Sequence, residues 1–482
     1  MEKIKIMKKI YLFFLGIVLI ASSCDEILEE KPMAIAAETF YNTASEVESA
    51  IYGAYRELAI GPFSRNYLLV NLSQVDYGVG RGSYASTSNF QGLDPTTIGR
   101  TDAIWASFYR SIRDVNIVIS RAPKSEDINA TRLAELLAEA KFLRAYNYFQ
   151  LVLNWGAVPL RTEENISNPD LPRSPVADVY IQIESDLQFA EANLPDVQSM
   201  VGRATKMVAK TLLADVYLNM GKWNEARQKA LDVINSNKYQ LVSVSKPNDF
   251  YKIFGPDVVS SVEEIFYVKY NAEIRNSFVV MLHKGNKKYY YGSGAYGAYI
   301  PDSTQNKVIV SWDQNDLRRR FNLYYDNIGL GTKTLLYKKF IEPDQTLSCD
   351  YPIYRYVDVL LIYAEADCRA NNGPTVDGLE KLNMVHRRGY GKAVNTASAV
   401  DFKLTDYNKD TFIDLVLKER LYELFSEHKR FYDLKRTGKL KEVIKDVRGI
   451  DVADMHLLWP IPNSEYNYNK AIDEVKDQNP GY

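Results

Sequence analysis

The stretch RATKMVAKTLLADVYLNMGKWNEARQKALDVI, residues Arg203–Ile234, decides the fold. Its apolar residues recur at helical spacing on both sides of Gly221, so the chain reads as two helices across a tight turn. Glycine suits that turn because helices commonly end on a residue in the left-handed conformation, which a side chain disfavours. Leu213, Ala214 and Tyr217 before the turn, with Ala226 after it, give each helix an apolar face. A pair this small cannot bury both faces alone, so further helices must stack on it.

The offsets of Leu213, Ala214, Tyr217, Gly221 and Ala226 resemble a tetratricopeptide unit, and the segment from Tyr351 to Arg388 looks like a degenerate relative. Toward the amino terminus, Ser45 and Glu48 form a capping-box pattern ahead of Val47, Ile51, Ala54, Tyr55 and Leu58 at helical spacing. Ile104, Phe108, Ile112, Val115 and Ile119 repeat the pattern. A third helix runs from about Thr131 to Gly156 and Pro159. A linker with Pro169 and Pro172 leads to Ser174 and Pro175, an N-cap and first-turn pair before Val179, Ile183, Leu187 and Ala190. The prediction is a mainly α fold: tetratricopeptide-like helix pairs forming a right-handed superhelical scaffold, with a helical part over 39–242 and another over 351–482. Between them, 243–350 loses helical periodicity, and Glu264-Ile-Phe-Tyr-Val-Lys-Tyr270 alternates like a strand. This loop-rich insertion with short strands, and the earlier segment Tyr67–Arg100, are where binding is expected, because long loops in compact domains usually have a function.

The first residues read as an export signal. Lys3, Lys5, Lys8 and Lys9 precede an apolar run from Ile10 to Ala21, too short for a span of roughly 20 residues but suited to a secretory segment. Ala21, Ser22 and Ser23 lead into Cys24, which resembles a bacterial lipobox with Ala21 where leucine is usual. The expectation is a signal peptide over 1–23, lipidation of Cys24, and an acidic linker over 24–38. Asp25, Glu26, Glu29 and Glu30 resemble the tag that exports lipoproteins to the outer face of the outer membrane in Bacteroidota. The remaining cysteines are Cys349 and Cys368; an exported compartment would permit a disulfide, but Cys368 continues the apolar phase of Val357, Leu361 and Ala364 and reads as a buried free thiol.

Composition narrows the function. The 482 residues are 46% hydrophobic, enough for a large core, and a formal net charge of −2 lacks the basic field of a nucleic-acid binder. Tyrosine at 35 outnumbers phenylalanine at 19, a bias toward the aromatic ring that suits wet recognition surfaces. Glu419, Glu423 and Glu427 share a helix face, and paired carboxylates could hydrolyse glycosides. Arg420, Arg430 and Arg436 are interleaved with them, however, and paired carboxylates make poor general acids. Gly292, Gly294 and Gly297 spell GxGxxG, but Pro301 follows where a phosphate-binding helix should start, so the segment reads as a loop. No metal site is expected, because His283, His386, His428 and His456 are scattered and no HExxH occurs. No cofactor is expected either.

Recognition remains. Tyr289, Tyr290, Tyr291, Tyr296, Tyr299 and Trp312 lie in a Gly-rich stretch that no helical period explains; the first loop supplies Tyr77, Arg81, Tyr84, Asn89 and Phe90. Exposed rings stack on the apolar face of a sugar while polar side chains take its hydroxyls.

Several motifs carry a family resemblance. Ala138-Glu-Ala-Lys-Phe-Leu-Arg-Ala145 leading to Trp155-Gly-Ala-Val-Pro-Leu160, Arg355–Ala366, Glu419–Leu424 with Arg430, Asp433–Gly438, Leu458-Trp-Pro-Ile-Pro462 and Gln478-Asn-Pro-Gly-Tyr482 resemble the SusD/RagB family over nearly the whole mature chain. The resemblance implies a non-enzymatic surface lipoprotein of the outer membrane, with four tetratricopeptide-like helix pairs. Such a protein captures a nutrient, usually a glycan, and passes it to a SusC-like TonB-dependent transporter. It implies ligand contacts from variable loops, so no binding residue transfers by motif. A peptide ligand, as in RagB-like members, and a surface hydrolase are the alternatives.

Overall fold

The computed structural model describes residues 40–63, 65–92, 95–285, 288–343 and 348–482. The expected signal peptide, Cys24 and the acidic linker lie outside them. Helices dominate: α1 (Ala44–Ile60), α2 (Pro95–Arg121), α3 (Ala130–Trp155), α4 (Val176–Asn193), α5 (Lys206–Met220), α6 (Trp223–Asn235), α7 (Tyr356–Ala370), α8 (Val376–Gly389) and α9 (Lys409–Glu423) are the long ones. They pair as α1/α2, α3/α4, α5/α6 and α7/α8, and each pair packs on the next through α2/α3, α4/α5 and α6/α7. The α5/α6 pair is the unit read from the sequence. Gly221 ends α5 at φ 74°, ψ 14°, and Leu213, Ala214 and Ala226 are fully buried at the contact.

Three local expectations shift. The capping box of α1 is Thr43 with Glu46, not Ser45 with Glu48: Thr43 Oγ1 accepts from the Glu46 amide at 3.3 Å, and Glu46 accepts from the Thr43 amide at 2.9 Å. Ser45 already lies inside the first turn. Ser174 does not cap α4, because its backbone is held in the strand β3 (Arg173–Ser174), paired with β2 (Val158–Pro159); Pro175 takes the cap position. Tyr67–Ser73 is not loop but part of a short helix, Asn66–Ser73, buried from Tyr67 onward. An element buried on all sides needs no polar face and carries no amphipathic period, which is why it escaped the pattern.

The segment between α6 and α7 returns to the scaffold through strands. β4 (Glu264–Val268), inside the predicted strand, pairs antiparallel with β8 (Tyr351–Arg355), and the Tyr356 amide donates to Glu263 O at 2.8 Å. Two further pairs, β1 (Val79–Gly80) with β5 (Ala298–Tyr299) and β6 (Leu323–Tyr325) with β7 (Leu335–Tyr337), organise the loops. The segment also holds short helices at Tyr251–Phe254, Phe278–Leu282, Lys307–Ser311 and Leu317–Asn322. Cys349 and Cys368 are both free and buried. Among the described residues no helix is long and apolar enough to cross a membrane.

Candidate functional site

The two loop segments singled out in the sequence meet. β1 and β5 place Val79 opposite Tyr299 and Gly80 opposite Ala298, and the Arg81 amide donates to Gly297 O at 2.7 Å. Beside this ladder lies an open cleft of about 440 Å³ lined by Arg65, Arg81, Gly82, Ser83, Tyr84, Arg100, Met281, Ala295 and Gly297. Arg81 is exposed and lays its guanidinium over the Tyr296 ring, 4.2 Å from the centroid. Arg100 lies 3.9 Å over the Tyr84 ring and donates to Ser83 O at 3.1 Å. Tyr84 in turn donates to Asn66 Oδ1 at 3.0 Å. Burial pushes the Tyr84 phenol up, while Arg100 and Arg65 pull it back.

The expected contact residues divide. Arg81, Tyr291 and Asn89 are exposed; Tyr289, Tyr296 and Tyr299 are part-buried. Trp312 is 1% exposed, stacked on Tyr422 at 4.4 Å with its indole N–H on Asp316 at 3.0 Å, so it packs the core and presents no face to a ligand. Tyr77 is likewise interior, stacked on Phe425 at 4.0 Å and accepting from the Ser426 amide. Phe90 packs edge-on against His456, and Tyr290 is buried where the chain bridges to Glu342. Tyr84 is buried as the platform under Arg100. Aromatic content in an irregular segment marks packing as readily as recognition, because loops without helical amides need side chains to hold them down. Tyr289 illustrates this, packed against Tyr324 at 4.6 Å. Two cleft residues, Arg65 and Arg100, were missed by the sequence reading; they stand 17 and 18 residues from Gly82 with Asp76, Asp94 and Asp102 interspersed, so no local signal gathers them.

The carboxylate cluster is an interior ion-pair network. Glu423 binds Arg388 at 2.7 Å and Arg355 at 3.2 Å; Glu427 binds Arg355 at 2.9 Å and Lys339 at 2.6 Å; Glu419 binds Arg318 at 2.9 Å and His386 at 3.0 Å. The partners are not the interleaved arginines. Arg420 goes to Asp433, Arg430 to Asp76, and Arg436 to Glu365 and Asp433. Burial would raise the Glu419 carboxyl, but Arg318 and His386 outweigh it and hold it down at about 2. All three glutamates are at most 2% exposed, away from any open cleft. The GxGxxG segment is a close-packed loop. A Cβ on Gly294 would stand 1.8 Å from His283 O, so glycine there permits backbone approach. Burial pushes His283 down to about 4, where it meets Phe340 O at 2.6 Å. Among the described residues no group of three His, Cys, Asp or Glu side chains is arranged to hold a metal.

Comparison with known proteins agrees along the chain. A family model described as "Starch-binding associating with outer membrane" matches residues 26–218, and one described as "SusD family" matches 269–482. SusD-like protein P2 of Formosa agariphila is 28% identical over 524 residues, covering 99% of this chain and all of the relative. A SusD homolog from Bacteroides thetaiotaomicron superposes with a TM-score of 0.79 at 23% identity, over 94% of this chain and 100% of that one. A laminarin-binding SusD-like protein superposes with a TM-score of 0.72 at 24% identity, over 91% of this chain and 99% of that one. With the four helix pairs and the motifs from Ala138 to the carboxyl terminus, these matches place the chain in the SusD/RagB family.

Proposed function

We propose that this protein is a cell-surface glycan-binding lipoprotein, non-catalytic, anchored through Cys24 in the outer membrane and delivering oligosaccharide to a SusC-like TonB-dependent transporter. The observation that carries the reading is an open cleft built from both variable loops, whose lining residue Arg81 lies over the ring of Tyr296, set between the lining residues Ala295 and Gly297. The part of such a ring left uncovered offers apolar surface to a pyranose, and the guanidinium lying over its other face offers donors to hydroxyls. The laminarin-binding neighbour lends the same direction. A peptide site would favour an enclosed, acid-lined pocket, and this cleft is open and lined by arginine. A hydrolase would need two carboxylates facing a cleft, whereas Glu419, Glu423 and Glu427 are consumed by ion pairs.

Calorimetric titration of wild type, Tyr296→Ala and Arg81→Ala with a panel of oligosaccharides tests the site. Each substitution should weaken binding by about 1–3 kcal/mol, the usual loss for truncating a contact anchor, with unfolding midpoints unchanged. Undiminished binding in both variants refutes the placement. Failure of the wild type to bind any glycan refutes the function.

A further inference from the structure

We propose that the cleft holds an anionic substituent of its glycan, a carboxylate or a sulfate ester, between the guanidinium groups of Arg65, Arg81 and Arg100. This rests on the glycan-binding reading of the same site and adds the class of sugar.

The chain as a whole carries a formal charge of −2, yet three permanent positive charges line one cleft. Among the described residues none of the three has a carboxylate within 4.0 Å, whereas Arg110, Arg132 and Arg161 elsewhere in the amino-terminal half are paired with Glu57, Glu48 and Glu465. Asp102 follows Arg100 by two positions on α2, which puts it about 200° round the helix. Like charges gathered without a counter-ion cost free energy in the empty protein, and an incoming anion relieves that cost.

The arginines are also positioned. Arg81 is laid on Tyr296 and Arg100 on Tyr84, with Arg100 further tied through Nη1 to Ser83 O and through Nη2 to Ser83 Oγ, so the rings fix the guanidinium planes; among the described residues Arg100 keeps three of its five N–H donors for a ligand, and the fork of Arg81 is unspent. A fixed planar fork matches the oxygen spacing of a carboxylate or sulfate better than it matches a lone hydroxyl. Solvent access comes through Arg65 and Arg81, both exposed.

The test compares matched sugars on the full chain. Oligogalacturonate with its carboxyl-reduced form, and a sulfated galactan oligosaccharide with its desulfated form, are titrated against wild type and the Arg65→Gln/Arg81→Gln double variant. Polyglutamate serves as the acidic peptide and sodium sulfate as the free anion. One charged member should bind tighter than its neutral form by on the order of tenfold or more, the loss expected for one charge-assisted contact. The preference should shrink with added salt and vanish in the double variant, and the arm that shows it identifies carboxylate or sulfate. Equal binding of charged and neutral forms, a preference that survives in the double variant, or polyglutamate or free sulfate binding as tightly as the sugars overturns the proposal. Neutral sugars binding well while the charged forms gain nothing leaves the glycan reading standing; failure of every sugar removes both.

Discussion

Replacing Glu423 by glutamine keeps the side chain's volume and removes its charge from the centre of the buried network. Its Oε1 accepts from Arg388 at 2.7 Å and Arg355 at 3.2 Å, and its Oε2 faces Arg318 at 3.6 Å. None of the four side chains is more than 2% exposed. Burial alone would raise the carboxyl's pKa, but Arg388, Arg355 and Arg318 outweigh it and hold it at about 2, against an ordinary 4.5. That depression is worth roughly 3 kcal/mol at neutral pH, at about 1.4 kcal/mol per unit. Breaking one side of a buried ion pair costs about 3–5 kcal/mol, the same order. Urea titration at pH 7 should show Glu423→Gln less stable by about 3 kcal/mol with the denaturant slope unchanged. Because the folded pKa is depressed, the wild type's advantage is complete above the ordinary value of 4.5 and is lost as pH falls toward about 2, so the two stabilities converge in acid. A loss under about 1 kcal/mol, the range of an exposed pair, or a difference that stays constant from neutral to acid pH would refute the argument.

Trp312→Ala should destabilise the protein by about 3–5 kcal/mol in the same assay, because the indole is stacked in the core. Tyr325→Ala, at a ring 61% exposed, should stay within about 0.5 kcal/mol of wild type, and equal losses would contradict the assignment of Trp312 to packing. Lys435 donates to Leu153 O at 2.6 Å, and burial of its ammonium pushes its pKa down to about 7 from 10.5. The unfolded chain therefore binds the extra proton between those values, and wild-type stability should rise as pH climbs through them. Lys435→Met should be the more stable form at pH 7 and lose that lead by about pH 10.5; a flat difference across the window would show that the ammonium stays solvated.

Much of the scaffold was legible because the information is local. A period of 3.6 residues, a glycine at a left-handed turn and small residues at fixed offsets act within a few turns of chain, and α3, α5, α6 and α7 appear where those signals put them. The misplaced α1 cap and the Ser174 cap failed by one turn or less, because a side chain's suitability for capping does not say which backbone position is free to receive it. The buried helix Asn66–Ser73 was missed, since total burial erases the contrast between faces.

The sequence by itself determined the α5/α6 pair, several further helices, the loop-rich segment between α6 and α7, and the inventory of arginines, glutamates and aromatic rings. Only the tertiary structure decided how that inventory is spent. Glu423 pairs with Arg388, Arg355 and Arg318 and not with its neighbour Arg420. Trp312 and Tyr77 go inward while Arg81 and Tyr296 stand together at a cleft. The physical reason is distance along the chain. The β1–β5 ladder joins Val79 to Tyr299, and a contact between segments so far apart is set by how the whole scaffold closes, which no local period encodes.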